Sequence, residues 1–247
     1  MKHGVLLFLA LFAAGSFILA AQNEQRGPDG STSTFVHGIE VLPAQGRPFS
    51  AASHIIWTRT LEDGTVLQRH LDSEIARDSN GRIYRESHTF VGAGDTSKLS
   101  RFYILDPIRH TRTACDPGPR HCTVTPYFAR AAFSVTPAGP FDNGKGYLTR
   151  ESLGTSTRDG LDVTGTRETT TIDAGIVGND RALRSTREFW YSADLQVNLE
   201  VTRKDPREGT QVIQIDNLSR SEPDPSRFQV PAGFTVEDTR PGPQRDQ

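Results

Sequence analysis

The chain has 247 residues, in which 28 lysines and arginines face 30 aspartates and glutamates, for a formal net charge of −2. The charges are mixed along the whole chain, so there is no concentrated basic face of the kind that nucleic-acid-binding proteins need. The same mixture excludes attraction to an anionic membrane surface as the main mode of binding. Hydrophobic residues make up 35% of the chain, which is enough for strands with one buried and one wet face.

The N-terminus carries the three parts of a secretory signal peptide. The first three residues, Met-Lys-His, are a short basic start, residues 4–14 are an apolar run, and Ala20 and Ala21 are small residues at its end. We expect a signal peptide over residues 1–20, cleaved after Ala20 or Ala21, and a periplasmic or secreted mature protein. An uncleaved anchor is the alternative, because the run approaches the roughly 20 residues that span a bilayer. A Gly-Ser step inside the run favours cleavage. No second hydrophobic run follows, so the mature chain is predicted to have no transmembrane span.

The remaining chain divides by composition into three parts. Residues 21–46 are rich in Gly, Pro, Ser, Asn and Gln without sustained periodicity, which predicts a flexible leader. Within that segment, Phe35-Val36 and Ile39-Glu40-Val41 are compatible with a short edge strand. Residues 47–238 are predicted to form a single β-rich domain, and residues 239–247 a polar, disordered tail.

Strands and tight turns alternate through the predicted domain. Asp63-Gly64 and Asn80-Gly81 are typical of two-residue hairpin loops, because both positions tolerate positive φ. Short connections force neighbouring strands to be antiparallel. The predicted strands are Phe49 to Leu61, Thr65 to Asp78, Arg82 to Val91, Leu99 to Leu105, Ile108 to Cys115, Tyr147 to Thr157, Leu161 to Ile172, Thr186 to Tyr191, Gln196 to Lys204 and Thr210 to Ser219.

Helix is nearly absent from the pattern. Pro126 to Val135 is predicted to form one or two helical turns, and Ala174 to Leu183 either a short helix or a loop. The strands approach or exceed the usual upper length of about 10 residues. We therefore predict a mainly β fold, a strongly curved antiparallel meander sheet (half-barrel or open barrel) with one or two short helices.

The two cysteines, Cys115 and Cys122, bracket the sequence Asp-Pro-Gly-Pro-Arg-His. The Pro117-Gly118 turn signal would return the chain and bring the two thiols opposite each other. In an oxidising compartment such a pair predicts a disulfide. His121 and His110 lie close enough in sequence to suggest a metal site instead. Their spacings match no standard zinc pattern, so we predict no metal ligands.

The predicted turns give a first register for the sheet. With two-residue loops, Ile56 faces Leu71, and His54, Ser73 and His88 form a row across three strands. Two histidines that flank a serine suggest nucleophile chemistry or a metal site. No carboxylate falls in this row, however, and a one-residue slip in either turn would move a histidine to the other face. Partly exposed strand positions are the simpler interpretation.

The two tryptophans are the other candidate site residues. Trp57 would pair with His70 on the opposite face, and Trp190 lies in an aromatic run, Phe-Trp-Tyr. Aromatic side chains could line a ligand cleft, although large rings also form much of any β core. We therefore name Trp57, His54, His88 and Trp190 as candidate ligand-binding residues, with core packing as the alternative for the tryptophans.

No catalytic or cofactor motif is present in the sequence. There is no Gly-x-Ser-x-Gly elbow, His-Glu-x-x-His pair, phosphate loop or dinucleotide glycine pattern. We name no catalytic residue, no metal and no cofactor, and we expect a binding protein rather than an enzyme.

Eight stretches of the predicted domain together form a recognisable pattern: residues 77–82, 151–155, 165–172, 178–181, 188–195, 205–209, 217–220 and 222–231. They resemble a family of uncharacterised exported bacterial proteins over about residues 47–238. The strand layout and the terminal Pro-Asp-Pro…Phe…Val-Pro element are also similar to those of outer-membrane lipoprotein-sorting (lipoprotein carrier-like) proteins. That second resemblance implies a half-barrel of antiparallel strands over a lipid-sized apolar cleft.

Three functions follow as hypotheses. The first is an exported, non-catalytic binding protein for an apolar ligand, a lipoprotein or another envelope protein, which an apolar cavity of several hundred Å³ would favour. The second is a structural or protein-interaction component of the envelope that uses a sheet edge, which a cleft filled by its own side chains would favour. The third is a hydrolase with a dispersed site, which needs a carboxylate or nucleophile within hydrogen-bond reach of His54 or His88.

Overall fold

The structure is a computed structural model that describes residues 38–92, 94–128 and 135–241. The predicted signal peptide and its cleavage site lie outside these ranges. So do the first part of the predicted leader, including Phe35-Val36, and residues 242–247 of the predicted tail. The account below concerns the described residues.

Fourteen strands in the described residues form one sheet. The first seven are β1 (Phe49–Thr60), β2 (Val66–Arg77), β3 (Ile83–His88), β4 (Val91–Gly92), β5 (Leu99–Asp106), β6 (Thr111–Asp116) and β7 (His121–Pro126). The others are β8 (Gly139–Pro140), β9 (Gly146–Arg158), β10 (Leu161–Ile172), β11 (Leu183–Ser192), β12 (Val197–Asp205), β13 (Gly209–Ser219) and β14 (Thr235–Asp238). A 3₁₀ helix at Pro225–Phe228 precedes β14.

The strand order places β1 near the middle of the sheet, between β2 and β13. The full order is β14-β7-β6-β5-β3-β2-β1-β13-β12-β11-β10-β9-β8, and β4 pairs with β2 off this path. Neighbours are antiparallel, except that β14 runs parallel to β7. The end strands β14 and β8 do not pair with each other in the described residues, so the sheet is open. The prediction of a mainly β, curved antiparallel meander that forms a half-barrel is confirmed.

The two hairpin loops that set the predicted register are one residue longer than expected. Leu61 donates its N–H to Thr65 O at 2.8 Å, and Asp78 donates to Arg82 O at 3.0 Å, so each loop has three residues. Gly64 and Gly81 take the third loop position, at φ 84° and 80°. This is the common three-residue hairpin, in which a left-handed glycine follows a type I turn.

The predicted register is therefore wrong by one residue at each turn. Leu71 pairs with Ile55, and His54 pairs with Asp72 instead of Ser73. Trp57 pairs with Arg69 rather than His70. The predicted His54, Ser73 and His88 row does not form, because a one-residue slip moves each side chain of β2 to the other face of the sheet.

The structure describes in full only one of the two segments for which a helix was considered. Ala174 to Leu183 is a loop until β11 begins, and the amide of Asn179 holds it by donating to Asp173 O and Arg181 O at 2.9 and 2.7 Å. Most of the predicted Pro126 to Val135 turn falls on residues 129–134, outside the described ranges. The helix that the structure does describe, Pro225–Phe228, was not predicted. Asp224 caps it by accepting from Ser226 N.

Two apolar clusters lie on opposite faces of the sheet. The smaller one includes Phe102, both cysteines and Phe228, so the segment after β13 covers that face. The larger one is made of Ile39, Val41, Phe49, Ala51, Ile55, Leu71, Ile75, Ile83, Leu161, Val163, Leu195, Val197, Leu199, Val201, Ile213 and Ile215. Strands from both halves of the sheet contribute to this larger cluster, which we call the core face.

The last part of the predicted leader packs against the core face. Residues 38–46 contain no strand, yet Ile39 and Val41 are 4% and 7% exposed. Arg77 holds the same segment by donating to the carbonyl oxygens of Leu42 and Arg47. At the other end of the domain, Thr239 donates to Val124 O at 2.9 Å.

Cys115 and Cys122 form the predicted disulfide. They pair directly across the hairpin of β6 and β7. Both are fully buried in the smaller apolar cluster. The disulfide thus closes this hairpin near one end of the sheet.

Candidate binding surface

His54 lies on the face of the sheet opposite the core face, between two carboxylates from neighbouring strands. Its Nδ1 is 2.6 Å from Asp72 Oδ1 on β2, and its Nε2 is 3.1 Å from Asp216 Oδ1 on β13. His70 Nε2 is 3.8 Å from Asp72 Oδ2. Burial lowers the pKa of His54, but the hydrogen bonds and charges of the two aspartates outweigh it, and the net pKa is raised above 6.5. The imidazole therefore joins β1 to both of its neighbours.

His88 also has a carboxylate partner, and it lies beside a serine. Its Nε2 is 2.8 Å from Glu86 Oε2, and its Nδ1 is 3.4 Å from Ser97 Oγ. Tyr84 donates to the other oxygen of Glu86 at 2.8 Å. Sequence reasoning considered only residues that pair across strands, and so it missed both carboxylates. Glu86 shares a face with His88 because it lies two residues before it on the same strand. Asp72 meets His54 only in the corrected register.

His88 thus lies between the carboxylate of Glu86 and the hydroxyl of Ser97. The hydrolase hypothesis needs a carboxylate or a nucleophile within hydrogen-bond reach of His54 or His88, and this geometry meets that condition. The hydroxyl of Ser97, however, donates to Asp72 O at 3.1 Å and accepts from Asp72 N at 3.3 Å. A serine has a single O–H proton, and here the nearer acceptor is this carbonyl rather than the imidazole. Ser97 is also only 9% exposed. The contacts of Ser97 therefore join the loop before β5 to β2.

No group of three metal-binding side chains occurs among the described residues.

The two tryptophans have partners other than these histidines, and Trp57 lies three residues after His54 on β1, on the opposite face of the sheet. Trp57 is on the core face and donates from its indole to Glu208 O at 2.8 Å. Trp190 packs over Gly165, where any Cβ would lie 2.7 Å from its ring. Arg158 stacks on Trp190 at 4.6 Å from the ring centroid. None of these contacts joins the four predicted ligand-binding residues to one another, and their role in binding stays a prediction.

A row of arginines crosses the core face, and sequence reasoning missed it. Residues that pair directly across a ladder share a face, and here the pairing runs through seven strands. The row, which we call the arginine row, is Arg69, Trp57, Gln211, Arg203, Arg187, Glu168 and Arg150. Its members come from β2, β1, β13, β12, β11, β10 and β9 in turn. No local spacing brings them together, because each arginine lies on a different strand.

The charges in the arginine row are not balanced. Glu168 is the one carboxylate in the row, and both Arg150 and Arg187 bind it, at 2.7 and 2.6 Å. Arg203 is half-buried, and its Nε is buried with no hydrogen-bond acceptor. Burial, and then the charge of Arg187 directly opposite, lower the pKa of Arg203. Such an arrangement suits an anionic group supplied from outside the row.

Two open clefts lie at the ends of the strands. One of about 660 Å³ is lined by residues 138–140 and by the start of β9. The other, of about 1090 Å³, lies between the β1–β2 and β12–β13 loops and β11, and its lining includes Arg59, Arg184 and Lys204. Neither is an enclosed apolar cavity, whereas the side chains of the core face bury one another, with Ile213 fully inaccessible.

No helix in the described ranges is long and apolar enough to cross a membrane.

Comparison with known proteins found likenesses in structure only. No family model and no curated protein matches the chain. A chain of the Pseudomonas aeruginosa MucA/MucB complex is similar at 12% identity and a TM-score of 0.37, over 76% of this chain and 57% of that one. This chain therefore spans less than two thirds of that protein. The Mycobacterium tuberculosis lipoprotein LppX matches at 12% identity and a TM-score of 0.30, over 72% and 90% of the two chains.

A domain from Vibrio parahaemolyticus described as outer membrane lipoprotein-sorting matches at 10% identity and a TM-score of 0.19, over 74% and 89% of the two chains. The predicted resemblance to lipoprotein-sorting proteins is thus found again among solved structures. All of these TM-scores are below 0.5, so the likenesses carry no argument about what this chain binds.

Proposed function

We propose that this chain is an exported, non-catalytic component of the cell envelope that binds a protein partner rather than a free lipid. The observation that carries the proposal is the filled core face. An acyl chain needs a cavity of several hundred Å³, and the space in front of the apolar strands is taken by their own side chains. Leu199, Val201 and Ile213 in the centre of that face are 2%, 5% and 0% exposed.

Export is supported by two independent features. The N-terminal sequence has the basic, apolar and small-residue parts of a signal peptide. The disulfide between Cys115 and Cys122 is of the kind that persists in the periplasm or outside the cell, where thiols are oxidised.

The free edge of β9 is the proposed site for a partner strand. In the described residues β8 pairs with β9 at Tyr147 and Leu148, and nothing pairs with that side of β9 farther along. An unpaired edge presents backbone N–H and C=O groups to which an extended peptide can add. A bulge at Leu153 divides this edge, so a partner would pair with Gly154–Arg158 or with the residues before the bulge.

Export, cleavage of the signal peptide and the absence of a bound lipid can be tested on one purified protein. We expect the full-length chain, expressed in a Gram-negative host, to appear in the periplasm with the mass of a chain cleaved after Ala20 or Ala21. Native mass spectrometry should then show the bare chain, and a fluorescent fatty acid should not bind saturably. A co-purifying lipid or saturable fatty-acid binding would favour an apolar-ligand carrier instead.

The edge itself can be tested by site-specific photo-crosslinking in the periplasm. A photo-reactive amino acid at Thr155, on the free edge, is expected to give a discrete crosslinked protein product. The same probe at Asp180, in the exposed loop before β11, serves as the control. Equal labelling from both positions, or none from Thr155, would contradict partner binding at this edge.

A further inference from the structure

The arginine row carries an excess of positive charge on the core face, next to the larger apolar cluster. Arg69, Arg150, Arg187 and Arg203 supply four cations, and Glu168 supplies the one carboxylate among the seven residues of the row. Two of the cations already share that carboxylate. The next row along the same strands includes Ile55, Ile213 and Val201, which pair across β1, β13 and β12 and are buried.

Arg203 is attracted by the charges of Glu208 and Glu168, but two features of its surroundings are unfavourable. It lies directly opposite Arg187, and like charges in that position destabilise a sheet. Its Nε has no acceptor although it is buried. An unpaired buried donor costs free energy, and a native structure that keeps one calls for an explanation, such as an ion or ligand that supplies the acceptor.

Neighbouring residues give this position the features of a binding site. Gln211 and Trp57 follow Arg203 in the row, and Arg69 lies beyond them on β2. Strands are spaced by about 4.8 Å, so the backbones that carry the Arg203 and Arg69 guanidinium groups lie about 14 Å apart along one line. Guanidinium groups bind carboxylate and phosphate oxygens in a planar, bidentate manner.

We propose that Arg203, with Arg187 beside it and Arg69 farther along the row, binds an oxyanion carried by a ligand or partner. The oxyanion supplies the acceptor that Arg203 Nε lacks and offsets the repulsion between the two opposed arginines. The site deepens the proposed function because it assigns an oxyanion to the partner. Only the identification of that partner as a protein rests on the proposed function. The site is distinct from the free backbone edge of β9 beyond the bulge.

The oxyanion can come from two sources, a phosphate group or the acidic side chains of a protein segment. Two probes separate them: inorganic phosphate, and a hexaglutamate peptide with a hexalysine peptide as its control. Binding to the full mature chain is measured by calorimetry and by the rise in Tm at constant ionic strength, because a ligand that binds only the folded state raises Tm. Tighter binding of hexaglutamate assigns the site to an acidic protein segment, and tighter binding of phosphate assigns it to a phosphate group.

Arg203→Gln is the informative variant, and Lys204→Gln is its matched control. Lys204 is the next residue on β12, carries the same charge, is exposed and points to the opposite face. We expect Arg203→Gln to weaken binding of the preferred anion at least about tenfold, as the loss of a charge-assisted hydrogen bond implies. Lys204→Gln should change it by less than about twofold, because its charge is exposed and screened by salt.

The fold of the variant is tested separately. Because Arg203→Gln removes a half-buried charge opposite Arg187, its Tm without anions should equal or exceed that of the wild type. Arg203→Lys keeps the charge and loses the planar fork, and it should also bind weakly. The proposal is overturned if the wild type binds neither anion, or if Arg203→Gln binds as well as Lys204→Gln. Neither result would affect the fatty-acid and crosslinking tests, so failure of the oxyanion site can be distinguished from failure of the proposed function.

Discussion

The guanidinium of Arg77 donates a hydrogen bond of 2.6 Å from Nη2 to the carbonyl oxygen of Leu195, 118 residues later in the chain. Its Nη1 and Nε donate to the carbonyl oxygens of Leu42 and Arg47 at 2.9 and 3.0 Å. The side chain is fully buried and lies 5.1 Å from the ring centroid of Phe49. Burial, and then the charge of Arg47, lower the pKa of Arg77 to about 10, which leaves it protonated at neutral pH. One cation thus joins the segment before β1, the end of β2 and the β11–β12 turn.

We expect Arg77→Met to reduce the free energy of unfolding by about 3 kcal/mol, because one buried and two partly buried carbonyl groups lose their donor while the apolar stem is kept. Urea denaturation followed by circular dichroism measures the change. Arg181→Met is the control: its side chain is 84% exposed, so the free energy should change by less than about 0.5 kcal/mol. Equal effects of the two variants would rule out a special role for the buried guanidinium.

The disulfide should stabilise the fold by restricting the unfolded chain. Replacing Cys115 and Cys122 together with alanine is expected to lower the free energy of unfolding by about 2–3 kcal/mol, as the chain-entropy model gives for so short a loop. Dithiothreitol should destabilise the wild type by a similar amount and leave the double variant unchanged. A reductant effect that persists in the double variant would contradict this account.

Gly146, at the start of β9, has a backbone that no other residue fits. Its φ is 142°, and an added Cβ would lie 2.0 Å from Thr171 O on β10. Gly146→Ala should therefore lower the free energy of unfolding by about 2–3 kcal/mol, through strain and displacement of the paired strand. Gly118→Ala is the matched control, because nothing lies within 4 Å of its added Cβ. A loss of stability in the Gly118 variant as large as in the Gly146 variant would argue against the steric explanation.

His54 predicts a pH dependence of stability. Since its folded pKa lies above the unfolded value of 6.5, its contribution is fully present below pH 6.5 and is lost as the pH rises through the folded pKa. The site is over one-third exposed, so the contribution should be below about 1 kcal/mol. The difference in free energy of unfolding between wild type and His54→Gln, measured at pH 5.5 and pH 8, should shrink at the higher pH.

The control for this pH effect is Gln196, which lies in the turn between β11 and β12 at φ 57°. Asparagine tolerates that left-handed backbone, so Gln196→Asn preserves the turn. Neither side chain titrates, so the difference between this variant and the wild type is expected to be the same at both pH values. A nuclear magnetic resonance titration of His54 that gives a pKa below 6.5 would remove the basis of the prediction.

The strands were predictable because their signals are local. Alternating side chains and turn residues act over neighbours in the chain, and Leu161 to Ile172 was predicted with the bounds that β10 has. The disulfide was predictable for the same reason, since one short turn brings the two cysteines together. The length of the two hairpin loops was not predictable, because Asp-Gly and Asn-Gly are compatible with hairpin loops of both two and three residues.

The sequence by itself therefore determined an antiparallel β fold, its turns and its disulfide. Only the tertiary structure decided which side chains meet across the sheet. Contacts such as His54 with Asp72, Arg77 with Leu195, or Arg203 with Arg187 depend on strand order and on the register of every hairpin between the partners. A one-residue error in any loop exchanges the two faces of a strand, so the arginine row and the filled core face could emerge only after all registers were known.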